Sequence, residues 1–220
     1  MKKNILILCM LGASALTANG QTLLKGTKFT DNWSVGINGG VTTPMTHSAF
    51  WKNSRPAVGI ELSKRITPVL SLGTSVMGHI NTSSSKTAFD ASNVELLSKF
   101  NMMNLFAGYP GTPRTFEMEA VIGVGWLHGY VNGTGDDNSW GTRLGMDFNF
   151  NIGEEKAWAI SLKPSLVYDM EGDFNRHKSR FNANNARVEL LAGITYYIKG
   201  SSGRHHATRV KEYDQTEVDN

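Results

Sequence analysis

Six histidines, a run of serines and a dozen regularly placed charges are the residues through which this 220-residue chain could do chemistry. His47, His79, His128 and His177 fall near or in the connections between apolar runs, as do Asp90, Asp136, Asp169 and the Ser83–Ser85 run. A hydroxyl, an imidazole and a carboxylate are the parts of acyl transfer or proteolysis: a nucleophile, the base that takes its proton, and a group that holds the base. No motif spacing sets these three in register, so the chain is read as not an enzyme, with these groups as exposed polar residues. His205 and His206 could ligate a metal, but two adjacent histidines in a mobile polar tail leave a zinc site short of ligands. Asp136 and Asp137 lack the ligand spacing of a calcium loop. No metal and no cofactor are expected. Asn81-Thr-Ser83 and Asn132-Gly-Thr134 match the glycosylation pattern, which is too common to carry an argument.

The charges are more orderly. Glu61, Glu95, Glu117, Glu119, Asp147, Asp169 and Glu189, with Arg65, Lys99, Arg143, Lys163 and Arg187, belong to one face of alternating runs. Strict alternation of apolar and polar residues is the signature of a β-strand with two unlike faces. Trp33, Val35, Ile37 and Val41 alternate with Ser34, Gly36, Asn38 and Thr42. Val58, Ile60 and Leu62 oppose Gly59, Glu61 and Ser63, and Leu70, Leu72, Val76 and Ile80 oppose Ser71, Gly73, Ser75 and His79. Val94, Leu96, Phe100 and Met102 oppose Glu95, Lys99 and Asn101, although Leu97 and Met103 fall on the polar face. Four further runs, from Phe116, Trp140, Trp158 and Val188, repeat the pattern. Each run is near the roughly 9–11 residues that a tilted strand needs to cross a bilayer.

Several bulk features bound the class. Lys2 and Lys3, the apolar Ile5 to Leu11 and the small, polar Ala13 to Asn19 form a secretory signal peptide over residues 1–20, too short for a membrane helix. Cleavage after Ala18 and cleavage near Gly20/Gln21 both fit. The single cysteine, Cys9, lies inside it, too early and behind too large a residue (Leu8) for a lipoprotein site. The formal charge of +3 falls to +1 without Lys2 and Lys3, which is no nucleic-acid footprint. No other long apolar run offers a helical span. The polar face is rich in Gly, Ser and Asn, which suit the cramped interior of a small barrel. The expected fold is an all-β, eight-stranded, antiparallel, up-and-down transmembrane β-barrel.

Connections alternate between long (Pro44 to Arg55, Thr82 to Ser92, Val131 to Ser139, Glu171 to Asn184) and short or intermediate (Thr67-Pro68, Asn104 to Pro113, Gly153 to Lys156). Short turns are periplasmic and long loops extracellular in such barrels. Both chain ends are therefore expected in the periplasm of a Gram-negative-type cell: 21–31 as a short segment, 32–199 as the barrel and 200–220 as a polar tail. With these directions Trp33, Phe116, Phe150, Trp158 and Tyr196 gather at the periplasmic rim. Trp126, Tyr130, Trp140 and Tyr168 gather at the outer rim, as two aromatic girdles.

The stretches Asn104 to Glu119, Gly123 to His128, Phe148 to Trp158, Lys163 to Asp169 and Ala192 to Lys199 together resemble the barrel domain of the outer membrane protein A family, in its Bacteroides-like branch. The resemblance covers about residues 30 to 200 and lies in whole pattern more than in any short motif. It implies a membrane anchor with a role in envelope integrity. Members often carry a periplasmic peptidoglycan-binding domain; Glu212 to Asp219 resembles the lead-in to one, and no such segment follows.

The function expected is structural, with four loops displayed outside. A small gated pore and a surface adhesin or binding protein are the alternatives. The lumen charges of both signs are expected to pair as a plug, since unpaired buried charges cost several kcal/mol each. Expected partners are lipid and lipopolysaccharide, and the barrel-assembly machinery during insertion. No nucleic acid is expected, any extracellular ligand is unknown, and the chain is expected to be a monomer. Phe50-Trp51 either inserts in lipopolysaccharide, touches a partner or packs on a neighbouring loop.

Overall fold

The computed structural model describes residues 24–46, 49, 51–80, 87–130, 136–170 and 182–209. The signal segment, His47, Phe50, Ser83–Ser85, both glycosylation patterns, His177 and residues 210–220 lie outside them. In chain order the strands are β1 (Leu24–Lys25), β2 (Trp33–Pro44), β3 (Arg55–Arg65), β4 (Leu70–Ile80), β5 (Phe89–Asn101), β6 (Phe116–Gly129), β7 (Asp137–Ile152), β8 (Trp158–Asp169), β9 (Ala186–Tyr197) and β10 (Thr208–Arg209). A short helix, α1 (Met102–Ala107), separates β5 from β6. Strands β2 to β9 each pair antiparallel with their sequence neighbour, and β9 closes on β2 from Ser34–Tyr197 to Pro44–Arg187. The fold is a closed, eight-stranded, up-and-down barrel. β1 and β10 form a separate two-stranded sheet.

Its two faces are inverted relative to a water-soluble protein. Ile37 is 70% exposed and Leu96 67%, while Glu95 is 1% and Glu189 0%. Apolar side chains outward and carboxylates inward are stable only where the outside is hydrocarbon. An eleven-residue strand spans about 36 Å, and at a tilt of about 40° it rises about 28 Å, enough for the apolar band of an outer-membrane barrel.

Every second residue of each strand faces the lumen, and the polar set picked out by alternation is that inner set. The lumen also holds large apolar residues: Met77, Leu97, Val121, Leu127, Val167 and Leu191 are all buried. Several stand across from glycine. Leu97 pairs with Gly73 and Gly123, Leu191 with Gly40, and Met77 with Gly59. A Cβ on Gly123 would lie 2.8 Å from Leu97 Cδ2, and one on Gly40 would run into the Leu190 carbonyl. The glycines make room for neighbouring large side chains, which is how a narrow barrel fills itself.

Two sequence expectations need correction. Met102 does not continue β5 but opens α1, because Asn101 caps the helix: its Oδ1 accepts from the Asn104 N–H at 2.8 Å. The connection 102–115 is thus a folded element rather than a loop of intermediate length. The tail is also not a free polar segment as far as Arg209. It turns back, pairs β10 with β1, and buries His205 and His206. Polar composition concealed this because the burial depends on contacts distant in sequence.

Candidate functional site

Alternation places charges from six strands in the lumen, where they form three tiers. Nearest the chain termini, Arg65 on β3 lies 3.7 Å from Glu117 and 3.5 Å from Glu119, both on β6. Asn149 Nδ2 donates to Glu119 at 3.1 Å and Asn151 Nδ2 to Glu117 at 3.4 Å. In the middle tier Lys99 pairs with Glu61 and, at 2.7 Å, with Asp147; Lys163 reaches Glu61 at 2.9 Å and Asp147 at 4.0 Å. In the third tier Arg143 bridges Glu95 and Glu189, each at 2.8 Å, and donates to Ser165 Oγ at 2.6 Å. His79 Nε2 stands 3.3 Å from Glu189. Each of these cations meets two carboxylates, so charges that would be costly alone compensate one another.

The space left between the tiers is small. Voids of about 30 Å³ and 20 Å³ remain, beside Glu61, Arg65 and Lys99 and beside Asn38, Lys99 and Arg143 respectively. Each has room for about one water, not for a continuous column.

Two of the twelve charges named from the sequence stand outside the tiers. Asp169 accepts from Ser139 Oγ at 2.9 Å, and Arg187 donates to His79 Nδ1 at 3.4 Å. Both line a vestibule of about 690 Å³ at the end opposite the termini.

The terminus end is covered instead. Asp31 accepts from the Ser201 and Lys28 amides, at 2.5 Å and 2.9 Å. Burial alone would raise its carboxyl, but these hydrogen bonds hold it below its ordinary value. His205 Nδ1 donates to the Tyr197 carbonyl at 2.5 Å, and His206 Nε2 to the Lys156 carbonyl at 2.7 Å. Burial, then the nearby Arg65 charge, push His206 down to about 3. Tyr109 donates to the Ala207 carbonyl at 2.7 Å, and burial pushes its phenol up to about 12. One ring nitrogen of each histidine thus meets backbone, and His205 Nε2 lies 3.2 Å from Glu155. Among the described residues no group of three or more ligand-type side chains could hold a metal ion.

Aromatic residues mark both rims. At the terminus end Phe116 stacks with Phe150 at 5.1 Å, Trp158 with Tyr196 at 4.7 Å, and Phe29 with Trp33 at 5.8 Å. At the far end Trp126 pairs with Trp140, Tyr168 with Thr142, and His128 lies between the rings of Trp126 and Tyr130. Among the described residues Phe29, Phe106 and Trp51 are the most exposed aromatics at 78%, 80% and 75%. All three lie outside the strands, where alternation gives no signal. Neither His79 nor His128 has a serine hydroxyl hydrogen-bonded to its ring among the described residues: His128 meets Asn138 at 2.9 Å and Asp136 at 3.4 Å. Asp90 instead pairs with Arg55 at 3.0 Å.

No protein-family model matches the chain, and no curated protein matches it in sequence. Solved structures do. The N-terminal β-barrel domain of OprF from Pseudomonas aeruginosa matches with a TM-score of 0.50 at 11% identity, over 76% of this chain and 97% of that one. Neisserial surface protein A matches with a TM-score of 0.51 at 12% identity, over 76% and 98%. The outer membrane protein OprG from Pseudomonas aeruginosa is a looser likeness, at 0.41 and 11%, over 76% and 96%. The first two likenesses, together with the closed strand order, make this an eight-stranded barrel of the kind found in bacterial outer membranes.

Proposed function

We propose that the chain is an outer-membrane anchor with a structural role in the envelope, its lumen closed by paired charges and its two termini in the periplasm. The observation that carries this is the three-tier lumen network, which leaves voids for single waters only. The orientation is supported by two tight connections at the terminus end, 66–69 and 153–157, where four others cross the far rim. The resemblance to the outer membrane protein A barrel agrees with this role and adds lipid, lipopolysaccharide and the assembly machinery as partners. No enzymatic activity belongs to this reading.

A gated pore is the competing account. Planar-bilayer recording of the refolded chain separates them. The structural reading expects no reproducible channel steps from wild type. Large, regular steps that change with R143Q or E117Q would overturn it.

A further inference from the structure

The vestibule at the loop end differs chemically from the lumen beneath it. Every cation of the three tiers meets carboxylates. Arg187, among the described residues, meets none within ion-pair distance; its one hydrogen bond is to His79 Nδ1 at 3.4 Å. A guanidinium can only donate, so Nδ1 accepts. The Nε2 proton then faces Glu189 at 3.3 Å. His79 thus spends one ring nitrogen on Arg187 and turns the other to Glu189, and leaves Arg187 its other donors.

Lys52 and Arg187 line the vestibule against one carboxylate, Asp169, which accepts from Ser139 Oγ at 2.9 Å; Arg55 lines it too but is taken by Asp90 at 3.0 Å. The sum favours a negative guest.

We propose that this vestibule binds a small solute through an oxyanion, a phosphate or carboxylate group, taken by the Arg187 guanidinium. The guanidinium fork matches two oxygens of such a group. A volume of about 690 Å³ is that of a small-molecule site. The site goes beyond the anchoring role and is compatible with either a sealed or a conducting lumen.

The test uses the full chain, ¹⁵N-labelled and refolded in micelles, with folding checked by boiling-dependent gel mobility. The Nε resonance of Arg187 is assigned by its loss in R187Q. Inorganic phosphate and, separately, acetate are titrated at constant ionic strength. Expected is a saturable shift with at least one of the two anions, and saturation by one alone names the oxyanion. From backbone amides of β2 and β9, R187Q should weaken binding about tenfold or more, the worth of one charge-assisted hydrogen bond. K52Q, which removes the other free cation of the same lining among the described residues, should weaken it less. Should R187Q not fold, R187K keeps the charge, loses the fork and is expected to bind more weakly than wild type. Non-saturating shifts with both anions, or affinity unchanged in R187Q or R187K, would overturn the proposal.

Discussion

The two ends of the barrel are closed in different ways. At the terminus end a folded cap of β1, β10, His205 and His206 lies against Tyr197 and Lys156, and Asp31 fastens it through the Ser201 amide. At the loop end the strands open into a vestibule whose floor is His79 and Arg187. Between them the tiers behave as one salt-bridged plug. The cap is tied to backbone through Asp31, His205 and His206, whereas the vestibule holds Arg187 with donors to spare. One end is therefore built to stay shut and the other to receive something, on a wall that cannot itself rearrange without breaking ion pairs.

The plug is the common support of both ends, so breaking it should have the largest effect. R143M leaves Glu95 and Glu189 facing each other with one cation removed, and should cost about 3–5 kcal/mol in urea unfolding from vesicles. L97A, which empties space opposite Gly73 and Gly123, should cost about 2–5 kcal/mol without altering the ion pairs. Both should lower the temperature at which the folded gel band is lost.

Acid should separate the ends. His206 is held neutral, so the unfolded cap binds a proton that the folded cap refuses. Cap stability is then full above the unfolded value of about 6.5 and falls as pH drops towards about 3, by at most about 1.4 kcal/mol per pH unit. Asp31 has the usual carboxylate sense: its lowered value adds stability above the unfolded value, lost only as pH falls below about 4. The protection of the β10 amides, taken against the intrinsic exchange rate at each pH, should therefore fall between about pH 6.5 and 5 in wild type. H206Q, which can still donate to the Lys156 carbonyl, should flatten that change. The smallest effect is expected at the rim: W158A removes a ring pair with Tyr196 and should cost about 0.5–1.5 kcal/mol beyond lost area.

Much of the barrel was legible because a strand has a period of two and a closed barrel has two unlike faces. Parity alone puts Glu61, Lys99, Asp147 and Lys163 on one side, although the Lys99–Glu61, Lys99–Asp147 and Lys163–Glu61 pairs join strands that are not neighbours. The same parity puts Met77, Val121 and Leu191 in the lumen, but sorting by polarity left them on neither face. α1 is too short to show a helical period, so Met102 was assigned to the strand before it. The cap was illegible because Asp31 and Ser201 are 170 positions apart. The unpaired state of Arg187 was equally hidden: it depends on which carboxylates Arg143 has already taken.

The difference between the ends can be read most directly by single-cysteine accessibility on a chain without residues 1–20, which removes Cys9, reconstituted in vesicles. A91C places a thiol on the vestibule wall, and S34C places one beside the small void above the cap. With a membrane-impermeant maleimide offered to both sides of the bilayer, A91C should react rapidly and S34C should remain protected. Equal, rapid labelling of both variants would contradict a lumen sealed at one end and open at the other.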